Sequence, residues 1–282
     1  MILIADGGST KTTWCLVDGL ATRSFFHTEG YNPEFIDTAG IVASLHQNLP
    51  STLATPDIAE LYYYGASVVS PLQVATVTHG MQAVFKQARV FVGHDLLAAA
   101  RALLGQESGF AAILGTGTNS CIYNGVRVTH NVDSLGYFLG DEGSGAFIGK
   151  GLLRDYLRGQ MPASLAANFH RTYSLERDTI LDHLYNRPFP NRFIANFAKF
   201  AYEHYYNSYC QQLVKEAFTL FFRNIISLYP DYSSYTFNCV GSVGYHFRDA
   251  LTEVATTHGM KVGKIISSPI DDLVSYHLAV AP

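Results

Sequence analysis

Cysteine is scarce and scattered in this chain. Cys15, Cys121, Cys210 and Cys239 form no Cys-x-x-Cys pair and have no metal-ligand spacing. That excludes a cysteine-built metal site and a paired redox motif. Cys15 and Cys121 fall on predicted strands, where a buried, reduced thiol is the default. Charge is also sparse: charged residues make up 15%, the formal net charge is −4, and no basic run occurs. A nucleic-acid or anionic-membrane surface is therefore not expected. No apolar run approaches the ~20 residues needed to span a bilayer. The chain enters a strand without a basic leader, so no signal peptide is expected and a cytoplasmic location is. Hydrophobic residues, by contrast, make up 48% of 282. That is enough to build a sizeable core in one large domain or two ordinary ones.

The chain is organised around its first stretch. Ile2 to Ala5 is an apolar strand, Thr12 to Val17 a second, and Asp18-Gly19 a type I′ turn signal. Between the strands runs Asp6-Gly7-Gly8-Ser9-Thr10-Lys11-Thr12. Gly7 and Gly8 let the backbone come close to a ligand, so successive N–H groups can form an anion nest. The hydroxyls of Ser9, Thr10 and Thr12 add donors, and Lys11 adds a positive charge. Asp6 is placed to reach a divalent cation. The pattern is a phosphate loop with a metal beside it. It is not a Walker A loop, which needs Gly-Lys-Ser/Thr at a helix start.

The design recurs about 108 residues later. Phe110 to Leu114 is an apolar strand. Gly115-Thr116-Gly117-Thr118-Asn119 is a second glycine-hydroxyl loop, followed by a strand and an Asn124-Gly125 turn. Two copies of one hairpin point to two similar domains that share a nucleotide. Ordinary hairpins with glycine in their turns are the bland alternative, which a single copy would have favoured.

The two loops, followed by Leu139-Gly140-Asp141-Glu142-Gly143-Ser144-Gly145, resemble the BadF/BadG/BcrA/BcrD-type branch of the actin–hexokinase–Hsp70 superfamily. Within that branch the chain is most similar to the N-acetylglucosamine kinases. The resemblance implies an α/β fold of two ribonuclease H-like lobes with a cleft between them. The lobes are expected at 1–108 and 109–282, with a helical insertion over about 150–229. It further implies ATP and Mg²⁺ as cofactors.

Other candidate residues lie along the chain. In Gly30-Tyr31-Asn32-Pro33, proline drives Asn32 out of the helical region. Asn32 can make an Asx turn or address a sugar hydroxyl through its amide; the resemblance implies the second. The strand Ala88–Val92 hands over to a helix at Gly93-His94-Asp95. Ligands gather outside the carboxyl ends of strands in open α/β sheets. Asp95 is thus placed as a general base or as a bare N-cap, and the resemblance favours the base, with His94 a local hydrogen-bonding residue.

The resemblance also assigns the sugar to Asp141, with Thr116 orienting it and Gly145 on the acetamido side. Related kinases carry Ala at the last position, so Gly145 is expected to loosen that pocket. Tyr235 to Val240 reads as a strand delivering Gly241-Ser242-Val243-Gly244 to a helix over 245–257. Gly241, Ser242 and Gly244 are therefore expected to receive an adenosine or α-phosphate. The aromatic run over 192–228 reads as two helices forming core and a homodimer contact rather than a nucleobase platform. At the C-terminus, Pro269-Ile270-Asp271-Asp272-Leu273 departs from the small-residue pattern of the family.

The expected function is ATP-dependent phosphorylation of an amino-sugar hydroxyl, with N-acetylglucosamine the foremost acceptor. N-acetylmuramate, glucosamine and anhydro-sugars present similar hydroxyls. Two other readings stay open. One is an ATPase that activates a partner enzyme, although no cysteine sits in a glycine-rich loop to bridge an iron–sulfur cluster. The other is a non-catalytic sugar sensor, although the loops and Asp95 look intact and the Cys/His cluster of repressor-type sugar kinases is missing.

Overall fold

The computed structural model describes residues 1–8, 11–19 and 22–280, so Ser9 and Thr10 of the first loop lie outside the described residues. The chain forms two compact units. The first comprises Met1–Glu107, Gly125–Arg127 and the chain from Pro269 onward; the second comprises Ser108–Asn124 and Val128–Ser268.

The first unit is built on β1 (Ile2–Gly7), β2 (Lys11–Val17), β3 (Arg23–Glu29), β4 (Glu60–Gly65) and β5 (Arg89–His94), in the order β3-β2-β1-β4-β5. β1, β2 and β3 are antiparallel neighbours, whereas β4 and β5 continue the sheet parallel to β1. Helices α1 (Thr38–Asn48), α2 (Pro71–Val84) and α3 (Asp95–Leu104) accompany it. α1 starts behind Asp37, whose carboxylate accepts from the Gly40 N–H. α2 starts on a full capping box of Ser70 and Gln73 with Pro71 in the first turn. α2 runs unbroken through Gly80, against which Ile41 of α1 packs.

Leu3, Ala5, Trp14 and Tyr63 from the strands share one core with Ile41, Leu45, Val77 and Met81 from α1 and α2. Burial of such side chains gains about 1.5–3 kcal/mol each. The expected two-residue Asp18-Gly19 turn is not formed. Val17 pairs with Arg23, and the Thr22 N–H donates to the Asp18 carboxylate at 2.9 Å, so a longer connection joins β2 to β3.

The second unit repeats the plan with β6 (Ser108–Leu114), β7 (Thr118–Asn124), β8 (Val128–His130), β9 (Thr236–Val240) and β10 (Lys261–Ile266), in the order β10-β9-β6-β7-β8. β6, β7 and β8 are antiparallel, and β9 and β10 run parallel to β6. Between β3 and β4 the first unit has one α-helix, α1. At the equivalent place, between β8 and β9, the second unit carries α4 (Gly136–Leu139), α5 (Gly145–Leu157), α6 (Ala163–Tyr173), α7 (Arg177–Tyr185), α8 (Pro190–Ala195), α9 (Ala198–Glu203) and α10 (Ser208–Asn224). The region read as two helices is three, α8 to α10, because Asn207 caps a fresh start by accepting from the Tyr209 N–H.

Phe218, Phe221 and Phe222 of α10 are fully buried in the core of this unit, as core residues rather than as a base platform. The helix expected over 245–257 is broken at Phe247 into α11 (Ser242–His246) and α12 (Arg248–Thr257). The last helix, α13 (Ile270–Val280), returns to the first unit.

Candidate active site

In the first unit the chemistry gathers at the carboxyl ends of β1 and β5. Gly7 still pairs with Thr12 across the hairpin, and the Gly8 N–H donates to the Lys11 carbonyl at 3.0 Å, so the loop is tight. Asp6, half-buried, is the penultimate residue of β1 and lies between Thr13 of β2 and Tyr64 of β4. Burial and the nearby Asp95 charge push its pKa up to about 7, against a lowering pull from Lys11. Asp95 opens α3, and burial pushes its pKa up to about 6 despite its bond from the Leu96 N–H. That bond, 2.8 Å to Oδ1, anchors one oxygen and leaves Oδ2 for a ligand.

Asp95 is not the N-cap. His94 is: its Nδ1 accepts from the Leu97 N–H at 3.0 Å. A ring nitrogen can accept only when unprotonated, and burial and Arg101 lower the His94 pKa in keeping with that role. The strand-to-helix boundary was visible in the sequence. Which of two adjacent polar residues caps it depended on the backbone angles of His94.

Thr12 does not serve the loop. It is fully buried, and its hydroxyl donates to the Glu29 carbonyl at 3.0 Å. Lys11 is exposed and Gly8 open. Beneath Gly7 lies the hydroxyl of Tyr63, buried and without a hydrogen-bond partner, a contact that no sequence signal announced. Asn32 makes the Asx turn: its Oδ1 accepts from the Glu34 N–H at 3.0 Å. Its amide nitrogen is left to donate, so the two readings of this residue are compatible.

In the second unit the Gly115–Asn119 loop is braced by the Gly140–Gly145 motif. The Thr118 N–H donates to Asp141 Oδ1 at 3.0 Å, and its hydroxyl donates to the Glu142 carbonyl at 3.0 Å. The Gly145 N–H donates to the Gly115 carbonyl at 2.8 Å, and that of Ala146 to the Thr116 carbonyl at 3.0 Å. Thr118 is thus spent on the motif and withdrawn from phosphate binding. Asp141 adopts a φ of 58° and is buried, which raises its pKa against the lowering bonds from Thr118 and Ser134. Thr116, Gly115 and Gly117 remain half-exposed. Asn119 uses its Oδ1 to accept from Ser120 N–H and Asn131 Nδ2.

Gly145 is buried, and a Cβ there would meet the Gly115 carbonyl at 3.3 Å and Ala195 of α8 at 3.4 Å. The inserted helices therefore reach the motif through Ala195, a residue without any chemical signature in the sequence. Gly241 has φ 129° and its N–H donates to the Ile266 carbonyl at 2.9 Å. Ser242 is exposed, but Gly244 is buried against Cys239 Sγ and serves packing. Helix α11 has only five residues, too short to concentrate a full macrodipole on a phosphate.

Among the described residues no group of three His, Cys, Asp or Glu side chains is placed to hold a metal. Mg²⁺ does not require such a cage, since it keeps several waters and binds through one or two carboxylates and phosphates. Asp6, whose proton affinity the nearby Asp95 charge raises, and Asp95 fit that requirement.

Duplicated β3-β2-β1-β4-β5 sheets with phosphate-type hairpins at β1–β2 and β6–β7 define the class of actin-like ATPases. No known protein-family model matches the chain, and no curated protein matches it. Among solved structures, a candidate N-acetylglucosamine kinase of Porphyromonas gingivalis is 36% identical, with complete coverage of both chains and a TM-score of 0.95. A candidate N-acetylglucosamine kinase of Chromobacterium violaceum shares the fold at 16% identity, 98% coverage of each chain and a TM-score of 0.71. A candidate sugar kinase of Cytophaga hutchinsonii shares it at 14% identity, 99% coverage of each chain and a TM-score of 0.50. The chain belongs to the family of the P. gingivalis protein, within the actin–hexokinase–Hsp70 superfamily. Among the described residues, no helix is long and apolar enough to cross a membrane.

Proposed function

We propose that this protein is an ATP-dependent sugar kinase, and that it phosphorylates an amino sugar, N-acetylglucosamine, to the 6-phosphate. The observation that carries the reading is Asp95: a carboxylate at the end of a parallel strand, one oxygen anchored, with a pKa raised to about 6. A base with that proton affinity is ionised at neutral pH yet basic enough to take a proton in the transition state.

Each unit supplies different parts. In the first, Asp95 Oδ2 accepts the proton of the acceptor hydroxyl, and the Asn32 amide donates to a neighbouring hydroxyl. Gly7, Gly8 and Lys11 offer backbone N–H groups and a positive charge to phosphate. Asp6, through water, holds Mg²⁺, which when bound supplies charge neutralisation for the transferring phosphate. In the second, Gly115, Thr116, Gly117 and Asn119 line the other phosphate loop. Asp141 braces it through Thr118 and keeps its second oxygen for the sugar. Gly241 and Ser242 are assigned to the nucleotide. The names of the family relatives support the choice of acceptor. The partner-activating ATPase reading is disfavoured by the thiols, since all four cysteines are buried.

The test is ADP release with MgATP over a panel of amino sugars and plain hexoses. ADP formation that depends on the sugar, greatest with N-acetylglucosamine, is the expected result. Sugar-independent ADP release would identify an ATPase. Binding of sugar without turnover would identify a sensor.

A further inference from the structure

The sheet of the first unit has two faces, and the core formed with α1 and α2 uses one of them. Side chains alternate along a strand, so Ala5 and Tyr63 join that core while Asp6 and Tyr64 point to the other face. There α3 and α13 pack together, and one tyrosine hydroxyl joins them. Arg101 of α3 donates to the hydroxyl of Tyr64 on β4. Arginine has no acceptor, so that hydroxyl accepts from it and keeps its own proton for His277 Nε2 of α13, 2.8 Å away. Tyr64 is fully buried and His277 nearly so. The guanidinium also lies against rings on three elements, 5.7 Å from that of Tyr64, 5.2 Å from that of Phe91 on β5 and 5.1 Å from that of Tyr276 on α13.

This junction sits on the elements that carry the two carboxylates. β4 runs between β1 and β5. At the level of Tyr64 its neighbours are Asp6 on one side and Gly93, two residues before Asp95, on the other. Asp95 is the first residue of α3, so the place of its carboxylate depends on where that helix is held. The His94 cap fixes the helix at its start. Arg101 follows His94 by seven residues, two turns along the same face, and its charge is felt at His94. A helix held at two points along one face is restrained from sliding or turning against its sheet.

We propose that Tyr64 and Arg101 are positioning residues for Asp95: with His277 behind them they lock α3 to β4 and so hold the carboxylate within reach of the acceptor hydroxyl. Only the catalytic consequence rests on the kinase reading. A misplacement of about 1 Å at a reacting group can cost about 100-fold in rate.

The test measures kcat, KM and melting temperature for Tyr64→Phe, Arg101→Met and Arg101→Lys, with N-acetylglucosamine and MgATP. Tyr64→Phe and Arg101→Met should lower kcat about 10–100-fold and leave KM for both substrates within about threefold. Arg101→Lys, which keeps a donor and the charge, should recover part of the loss. Tyr64→Phe placed on Asp95→Asn should slow it no further, because residues that act through one group are not additive. An unchanged kcat in Tyr64→Phe, whatever its melting temperature, overturns the proposal, as does a loss that multiplies with that of Asp95→Asn. Tyr64→Phe removes a single oxygen and carries the test where an arginine variant fails to fold. Hydrogen exchange reads the positioning without turnover: the first turn of α3 should exchange faster in Tyr64→Phe than in the parent, with α1 and α2 unchanged. If the parent releases no ADP with any sugar, the kinase reading falls; faster exchange then keeps the positioning of Asp95, and equal exchange overturns it as well.

Discussion

At the scale of residues, the division of labour between His94 and Asp95 matters most. Because His94 caps α3, Asp95 is free of that duty, and its replacement separates chemistry from folding. Asp95→Asn should lower turnover by about 10²–10⁴-fold, the usual worth of a general base, while calorimetry still detects sugar and nucleotide. Its stability should not fall. The carboxyl has a folded pKa of about 6 against an ordinary value of 3.8. Its contribution to stability is therefore full below about pH 4 and lost as pH rises through 6. At pH 8 the amide removes an unfavourable buried charge, so the melting temperature of the variant should equal or exceed that of the parent.

In the parent, kcat/KM should rise with pH along an acid limb between about 6 and 7. Asp95, raised by burial to about 6, and Asp6, raised by burial and the Asp95 charge to about 7, both titrate there. A pH-independent rate over that interval, or an Asp95→Asn variant that turns over like the parent, would move the base elsewhere.

At the scale of elements, α5 and α8 decide how the insertion meets the site. The two helices approach so closely that a Cβ on Gly149 would collide with the Ile194 backbone carbonyl. Backbone yields less readily than the end of a side chain. Gly149→Ala should therefore destabilise the fold by about 1–3 kcal/mol, as overpacking does, in spite of alanine's better helix propensity. Denaturant unfolding checks it; a variant as stable as the parent would show that α8 can shift freely. The hairpins were legible as elements because glycine and hydroxyl residues between apolar runs allow little else. Which hydroxyls face the ligand was not. Thr12 and Thr118 look like Thr116 in sequence, but the first bonds to β3 and the second to the Asp141–Glu142 backbone and side chain.

At the scale of the whole molecule, the chain is two copies of one sheet topology, the first completed by its last helix. His277 on α13 stacks on Tyr62 at 3.7 Å between ring centroids and lies 2.8 Å from the Tyr64 hydroxyl. Arg101 donates to that hydroxyl, so Tyr64 in turn can donate to a neutral imidazole. Burial and Arg101 push the His277 pKa down to about 3. As pH falls from about 6.5, the unfolded chain gains a proton on this residue that the folded chain refuses, and stability is lost toward pH 3. Melting curves should show the parent losing stability relative to His277→Gln across that window. A constant difference would mean that the imidazole accepts its proton in place.

Periodicity and turn chemistry within the sequence determined much of this protein: the strands of both hairpins with their glycine-hydroxyl loops, the strand that ends before Gly241, the handover from β5 to α3 and the stretch around Asp141. These are local matters, settled by which side chains alternate, which residues tolerate a tight turn and which cap a helix. The placement of α13 on the first unit, the contact of Ala195 with Gly145 and the division between His94 and Asp95 belong to the tertiary structure alone. They depend on contacts between segments far apart in the chain or on the precise angles at one junction, and neither leaves a repeating pattern in the order of the residues.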